Sequence, residues 1–420
     1  QELNPQFIEL AKELKIASST ITNPFLEKLP QLIKEHLKPY LEDLANLFTQ
    51  LNQAQKLSRI NEIETINSQI DKIIDKANAF KEPTSQIQEA QVLELDTFIN
   101  SPEYKTYFKK LINTMEDGGF GIELFAAGAA TRLGKGPMWP LNLWELVPEY
   151  ESEYPQLKAL SLNVPKLNIG LGPRQLLAIR LSLENIKEGL SQKVPIILHI
   201  NSQIEDIVRE DLLKNNFYGF NPQNIIIIPQ PTLPGYFINP QKEVLLDTQS
   251  KLYPYNHGYA TMQLNWPAQS YVLTPTGNIE SINESVLDLL SSKYNTQLLV
   301  TNRINDLTRL TLRAVDTQFL SFALYLFEKE GANILTELVS NPTGQKGGLG
   351  LSLKRFTHPL KMFLLEGINT KIPEIQNHLE FLTQKVQKTQ GLPGIPYNAF
   401  RLIYKAPELK GLLSQELPLT

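Results

Sequence analysis

The feature that most constrains the fold is a pair of short apolar runs, Val194–Ile200 and Asn224–Ile228, which flank a helical pattern at Ile204–Asn215. Continuous runs rich in β-branched residues are typical of strands buried on both faces of a parallel sheet. Such a strand, helix and strand form a right-handed crossover unit. Further strands are predicted at Ile122–Ala127, Thr296–Thr301 and Lys361–Leu365. We therefore expect an open α/β sheet that binds its ligands beyond the carboxyl ends of its strands.

The N-terminal part of the chain has a different pattern. From Pro5 to about Phe80, apolar residues recur at helical spacings among Glu, Lys and Gln, which predicts amphipathic helices. A second helical stretch is predicted after Thr84 and up to Met115. We interpret these helices as a cap packed on the main domain, and a bundle that binds a partner is the alternative. The predicted division is a helical segment at 1–117, an α/β core at 118–370 and a C-terminal part at 371–420 that completes the site.

Composition and charge exclude several classes of protein. The 420 residues include 40 basic and 44 acidic residues, so no global field attracts nucleic acid or an anionic membrane. The chain has no cysteine, which excludes disulfides, Cys-ligated zinc, iron–sulfur clusters and thiol nucleophiles. No apolar run reaches the roughly 18 residues of a membrane span, and Gln1–Ile16 lacks the apolar core of a signal peptide. We expect a cytoplasmic protein without nucleic-acid or membrane partners, and its oligomeric state is not predicted.

A loop of small residues follows the first predicted strand of the core. It reads Phe125-Ala-Ala-Gly-Ala-Ala-Thr-Arg-Leu-Gly134 and allows its backbone to approach an anion closely. Its spacing is neither a dinucleotide fingerprint nor a P-loop. The segment resembles the signature loop of the pyrophosphorylases that make UDP-glucose and UDP-N-acetylhexosamines. The resemblance implies a Rossmann-like, GT-A-like nucleotidyltransferase fold, with a mixed sheet flanked by helices. It also implies that Ala127 and Gly128 bind substrate and that Arg132 neutralises phosphate charge.

Two further segments extend the resemblance to the phosphates and the base. Val164-Pro-Lys166 resembles the family's Pro-Lys segment, with residues 135–163 read as an insertion, which makes Lys166 the phosphate-binding lysine. Pro229-Gln230-Pro resembles a segment whose glutamine binds uracil. A glutamine amide offers both a donor and an acceptor, which matches one edge of that ring. The resemblance therefore implies that Gln230 recognises the base.

The segment around His257 bears on the sugar. Tyr253-Pro-Tyr-Asn-His257-Gly258 resembles the family's Pro-x-Gly-His-Gly-Asp turn. The glucose branch of the family carries this histidine, whereas the hexosamine branch tends to have asparagine. We therefore assign His257 and Gly258 to substrate binding, and His257 favours glucose 1-phosphate over N-acetylglucosamine 1-phosphate.

A polar strand end implies the metal site. The stretch 298–307 is similar to a family segment whose aspartate holds magnesium between phosphates, and Asn302, Asn305 and Asp306 are the candidates for its counterpart. Among them Asp306 is the full anionic ligand that Mg²⁺ prefers. We assign Asp306 to the Mg²⁺ cofactor and Asn302 to substrate binding.

Two lysines complete the predicted site. Lys346 lies in a Lys-Gly-Gly turn similar to one beside the family's sugar site. The stretch from Asn398 to Lys405 has the spacing of a family segment that ends in a phosphate-binding lysine. The resemblance therefore implies that Lys346 contacts the sugar and that Lys405 acts in catalysis with Arg132 and Lys166.

The implied reaction joins UTP to a sugar 1-phosphate and releases pyrophosphate. The attacking sugar phosphate is already anionic, so the protein has to supply positioning and charge neutralisation rather than a general base. Glucose 1-phosphate is the expected sugar. The alternatives are N-acetylglucosamine 1-phosphate, another nucleobase, a degenerate relative that binds sugar nucleotides without turnover, and a helical interaction protein that uses residues 1–115.

Overall fold

A computed structural model gives the fold of the chain. It describes residues 24–79, 83–127, 138–142, 169–230, 232–233, 235–247, 253–254, 257–304, 314–340, 348–358, 361–365 and 372–413. Its α-helices are α1 (Pro24–His36), α2 (Leu41–Lys56), α3 (Ile60–Ala77), α4 (Leu95–Ile99), α5 (Glu103–Glu116), α6 (Leu171–Ile186), α7 (Glu205–Lys214), α8 (His257–Gln263), α9 (Val286–Ser292), α10 (Thr317–Lys329), α11 (Pro373–Gln390) and α12 (Ala406–Leu413). None of these helices is both long enough and apolar enough to cross a membrane.

A large mixed sheet forms the centre of the fold. Its strands and those of two small two-stranded sheets, β5–β8 and β6–β7, are β1 (Ile87–Glu89), β2 (Phe120–Phe125), β3 (Ile196–Asn201), β4 (Ile225–Gln230), β5 (Thr232–Leu233), β6 (Gly235–Ile238), β7 (Val244–Asp247), β8 (Tyr253–Pro254), β9 (Ser270–Leu273), β10 (Ile279–Ile282), β11 (Leu298–Arg303), β12 (Ile334–Val339), β13 (Leu349–Leu353), β14 (Phe363–Leu365) and β15 (Tyr397–Lys405). The main sheet runs β1-β13-β15-β11-β2-β3-β4-β9-β10, and β12 and β14 pair with β15 and β13.

Four neighbouring strands of the main sheet, β11, β2, β3 and β4, are parallel. They form because runs such as Ile225-Ile-Ile-Ile228 bury side chains on both faces of the sheet. The chain crosses from β2 to β3 through α6 and from β3 to β4 through α7. The flanking strands β15 and β9 are antiparallel to this group, so the sheet is mixed.

Each face of the sheet has its own apolar core. Ile122, Leu198 and Ile227 point to one face and pack with residues of α5, α6 and α10. Ile197 and Ile226 point to the other face and pack with Leu264, which follows α8, and with α9 and α12. The alternation follows the two-residue period of a pleated strand, and it determines which side chains at the strand ends share a face.

The N-terminal helices form a separate core with a hairpin of the second half of the chain. Leu41, Leu44 and Ile66 pack against Ile238 and Val244 of the antiparallel pair β6–β7. Lys242 in the turn of this hairpin also forms an ion pair with Glu42, with Nζ 3.1 Å from the carboxylate. The predicted packing of helices against the rest of the protein is thus made through this hairpin.

The predicted strands agree with the structure to within a few residues. The other strands were not predicted, and one of them lies in the second predicted helical stretch: Ile87–Glu89 is a strand at one edge of the main sheet, and only Leu95–Ile99 and Glu103–Glu116 are α-helical there. Three residues are too few to show a strand period, and the partner strand Leu349–Leu353 is distant in sequence. The predicted domain boundaries at 117/118 and 370/371 stay predictions.

Candidate active site

The carboxyl ends of the four parallel strands bring several predicted residues to one edge of the sheet. Ala127 follows the end of β2, Gln230 is the last residue of β4, and Asn302 is the penultimate residue of β11. The register places Asn201 of β3 beside Gln230, and Asn302 beside Leu124 of β2. This edge is where open α/β sheets bind their ligands.

Gln230 and Asn302 are both buried, but they point to opposite faces of the sheet. Gln230 is 2% exposed and lies on the same side as Ile226 and Ile228, whereas Asn302 is 4% exposed and lies on the side of Val300. Within the described residues neither Gln230 Nε2 nor Asn302 Oδ1 has a hydrogen-bond partner. Buried polar atoms without partners are rare, so each of these amides is available to a ligand on its own side of the edge.

Helix α8 begins with the predicted sugar-binding residues His257 and Gly258. Its C-terminal part packs on the sheet, where Ala260 and Gln263 are fully buried. A hydrogen bond between Thr261 and the hydroxyl of Tyr404 on β15 links the helix to the sheet. Burial, and then the nearby charge of Glu123, raise the pKa of Tyr404, so this hydroxyl stays protonated. This hydrogen bond therefore holds α8 against the sheet at Thr261.

The remaining predicted residues lie outside the described part of the chain. These are Gly128, Arg132, Lys166, Asp306 and Lys346. Their roles stay predictions. Among the described residues, no group of three or more His, Cys, Asp or Glu side chains is arranged to hold a metal ion.

Lys405 is not brought to this edge. It pairs with Leu298, at the amino end of β11, because β15 runs antiparallel to β11. Five residues of extended strand separate that end from Arg303, about 16 Å at 3.3 Å per residue. The Lys405 ammonium lies 3.3 Å from the Glu408 carboxylate, in the first turn of α12. This placement does not support the predicted contact between Lys405 and a phosphate at the carboxyl edge.

The N-terminus of α6, which lies at the same edge, is capped by the chain itself. A helix between two parallel strands runs opposite to them, so its free amides point to the carboxyl edge. Here Leu171 N donates to Leu141 O at 2.8 Å and Gly172 N donates to Trp139 O at 3.2 Å. The start of the predicted insertion therefore occupies amides that an anion would otherwise bind.

Trp139 fixes this capping segment in place. Its side chain is 1% exposed, and its indole N–H donates to Asp211 of α7 at 3.0 Å. The ring packs so closely on Gly172 that a Cβ atom there would lie 2.2 Å from ring carbons. A glycine in the first turn is thus required for the approach of the ring.

Arg174 is a cation at this edge that the sequence analysis did not single out. It lies in the first turn of α6, and burial lowers the pKa of its guanidinium. The signal was present in the sequence as Gly-Pro-Arg174, because proline is favoured in the first turn of a helix and an arginine directly after it lies at the helix start. Arg174 joins Arg132 and Lys166 as a candidate for phosphate binding.

No family model matches the chain, and no curated protein matches it in sequence. Solved structures do match. The UDP-N-acetylglucosamine pyrophosphorylase of Trypanosoma brucei, solved with an inhibitor, has 13% identity and a TM-score of 0.55, over 98% of this chain and 69% of that one. A protein of Entamoeba histolytica assigned as a UDP-N-acetylglucosamine pyrophosphorylase has 14% identity and a TM-score of 0.51, over 79% of this chain and 68% of that one. At these identities the likeness concerns the fold alone. The resemblance seen in the sequence is thereby confirmed at that level, and the chain has the fold of the UDP-sugar pyrophosphorylases.

Proposed function

We propose that the chain is a uridylyltransferase, which joins UTP to glucose 1-phosphate and releases pyrophosphate. One observation carries the proposal: in the fold of the UDP-sugar pyrophosphorylases, the carboxyl edge of the sheet carries Ala127, Gln230 and Asn302, which the sequence resemblance assigns to substrate binding. The small-residue loop that resembles the family signature begins at this edge, directly after β2.

The base is recognised from the side of the sheet that Gln230 faces. Its buried Nε2 has no partner within the described residues and would donate to a uracil carbonyl, while Oε1 would accept from the ring N–H. A buried amide aimed at one edge of a base discriminates strongly, because a base with the wrong pattern leaves it unpaired. His257 lies at the start of α8, and its resemblance to the histidine of the family's glucose branch favours glucose 1-phosphate as the sugar substrate.

Catalysis relies on charge neutralisation. An oxygen of the sugar phosphate attacks the α-phosphorus of UTP, the bond to the leaving pyrophosphate breaks, and no proton has to be removed from the nucleophile. Arg132 and Lys166 bind the phosphates, and Arg174 adds a guanidinium at the start of α6. A positioned cation of this kind contributes about 3–4 kcal/mol of transition-state stabilisation.

Magnesium fits the edge through oxygen ligands. Asn302 Oδ1 is a buried oxygen without a partner among the described residues, and Asp306 follows four residues later in the sequence. Mg²⁺ is usually held by one or two such protein oxygens together with substrate phosphates. When bound with UTP it would supply further neutralisation of phosphate charge, with Asn302 and Asp306 as its protein ligands.

A second candidate function is the binding of a sugar nucleotide without turnover. Two observations favour it: Lys405 lies at the amino end of β11, and the amides at the start of α6 bond to the capping segment. Both reduce the number of groups that can neutralise the departing pyrophosphate.

The test is pyrophosphate release from UTP with glucose 1-phosphate, with N-acetylglucosamine 1-phosphate and without sugar, each with and without Mg²⁺, and with ATP replacing UTP. We expect release only with UTP, glucose 1-phosphate and Mg²⁺. Lys166→Ala should abolish release, whereas Lys214→Ala, on the exposed end of α7, is the matched control. Binding of UDP-glucose without any release by the folded wild type would support the second candidate and contradict the first.

A further inference from the structure

A buried pair of ionisable side chains lies under the candidate site and is not used by the proposed reaction. Glu123 of β2 and His199 of β3 are both 0% exposed, and His199 Nε2 lies 2.8 Å from Glu123 Oε1. They point to the same face as Ile197, where the core is formed mainly by apolar side chains. Removing such a pair from water is costly, and an apolar pair of similar volume is often at least as stable.

The pair is also incompletely satisfied. Glu123 Oε2 and His199 Nδ1 have no hydrogen-bond partner within the described residues. Thr301 is the register partner of Glu123, but its hydroxyl bonds to the backbone of Leu402 instead, at 2.9 Å to the amide and 3.3 Å to the carbonyl. Because each unpaired buried atom lowers stability, stability alone does not explain the pair.

On one side the pair is connected to the root of the signature loop. The ring of Phe125 stacks on His199, with 5.0 Å between centroids and 21° between planes. The next residue, Ala126, donates its amide to His199 O at 2.8 Å. The small-residue loop begins here, so the position of His199 sets the direction in which the loop leaves the sheet.

On the other side the pair is connected to α8. Glu123 lies close enough to Tyr404 for its charge to raise the pKa of that hydroxyl, and Tyr404 bonds to Thr261 of α8. Thr261 lies one helical turn after His257. The pair is thus linked to the loop by a ring contact and a backbone hydrogen bond, and to α8 by the charge of Glu123 and the Tyr404–Thr261 hydrogen bond.

We propose that the Glu123–His199 pair positions the candidate site, by fixing the end of β2 where the signature loop begins and, through Tyr404 and Thr261, the helix that begins at His257. The inference rests on the proposed function for its kinetic consequences. Glu123 and His199 are positioning residues in this account, since neither touches substrate. Their contribution is orientation, to which the rate of an in-line displacement is sensitive.

The test compares a double variant, Glu123→Leu with His199→Leu, with Glu123→Gln alone. The double variant should melt at or above the wild-type temperature, yet its kcat for pyrophosphate release should fall about 10- to 100-fold. Glu123→Gln keeps the hydrogen bond to His199 and should retain most of kcat. Tyr294→Phe is the matched control. It removes a buried hydroxyl that bonds Asn224 on the same face, at the amino end of the strands, and should leave kcat unchanged.

Hydrogen exchange gives a readout that does not depend on activity. In the double variant the amide of Ala126 and those of α8 should exchange faster, while those of α9 should not change. Unchanged exchange at Ala126 and α8, or a folded double variant with wild-type kcat, would overturn the inference. If the wild type shows no turnover, the proposed function fails, and exchange alone still decides whether the pair positions these segments.

Discussion

Gly172 should tolerate alanine only when Trp139 is absent. A Cβ atom on Gly172 would lie 2.2 Å from ring carbons of Trp139, whereas ordinary contact begins near 3.4 Å, so ring or helix must move by about 1.2 Å. The ring cannot move freely, because it is buried and its indole N–H is bonded to Asp211. The Asp211 carboxylate also accepts a hydrogen bond from the Tyr218 hydroxyl at 2.9 Å, so the acceptor of the indole N–H is held in place as well.

The expected change in the free energy of unfolding for Gly172→Ala is the balance of two opposing effects. Overpacking of this kind costs about 1–3 kcal/mol, and alanine for glycine within a helix gains at most about 0.5–1 kcal/mol. Gly172→Ala should therefore lower the free energy of unfolding by about 1–2 kcal/mol. Trp139→Ala alone should cost about 3–5 kcal/mol, because it leaves a cavity. In that background the clash is gone, and Gly172→Ala should become neutral or stabilising.

The effect of Gly172→Ala on the free energy of unfolding can be compared with and without Trp139 in a double-mutant cycle, by urea unfolding followed by circular dichroism. Gly411→Ala is the matched control, since Gly411 lies in α12 and an added Cβ atom would meet nothing within 4 Å. It should be neutral or slightly stabilising in both backgrounds. The same effect of Gly172→Ala on stability with and without Trp139 would contradict a clash between the two residues.

Three further outcomes are expected. Gln230→Leu should raise KM for UTP about fivefold without loss of stability, because its buried Nε2 has no described partner to lose; an unchanged KM would contradict base recognition. Lys405→Ala should keep kcat within about twofold, whereas Lys166→Ala should lower it more than about 100-fold, in the pyrophosphate assay. Equal losses of kcat in the two variants would indicate that Lys405 does contact the phosphates. The hydrogen bond from Lys410, followed by one from Ser285, lowers the pKa of Asp288. Its folded pKa is below the unfolded value of about 3.9, so the stabilisation is present above that pH and is lost as pH falls through the folded pKa. Lys410→Met should therefore lower the free energy of unfolding, measured with urea, by at most about 1 kcal/mol at pH 7 after solvent screening, but not near pH 2; a loss that does not change with pH would indicate packing instead.

The parallel strands could be predicted because each is a short run of apolar residues, which indicates burial on both faces of a sheet. Ile225–Gln230 is apolar on both faces for most of its length, which is typical of a parallel strand covered on both sides. The edge strand Ile87–Glu89 could not be predicted, since its partner strand is more than 250 residues away and three residues carry no period. Pairing of this kind is decided by tertiary context rather than by local sequence.

Strand direction limited the prediction of the site in the same way. The spacing from Asn398 to Lys405 matched a family segment, but spacing does not say that the strand runs antiparallel to β11 and carries its lysine to the far end. Similarly, Trp139 lies in a stretch read as an insertion, and its contact with Gly172 depends on how that stretch folds back. The positions of Gln230 and Asn302 at the ends of parallel strands could be predicted because that edge follows from topology, and their roles stay predictions.

The hairpin β6–β7 has a consequence for how relatives of this chain can diverge. It lies between Gln230 and His257 in the sequence, yet one of its faces is covered by the N-terminal helices through Ile238 and Val244. A two-stranded hairpin is marginally stable by itself, so a chain shortened to begin after α3 would expose that face. The N-terminal helices and the hairpin therefore have to evolve together, although distant parts of the gene encode them. A recombinant that exchanges only one of the two should fail to form the core that they share.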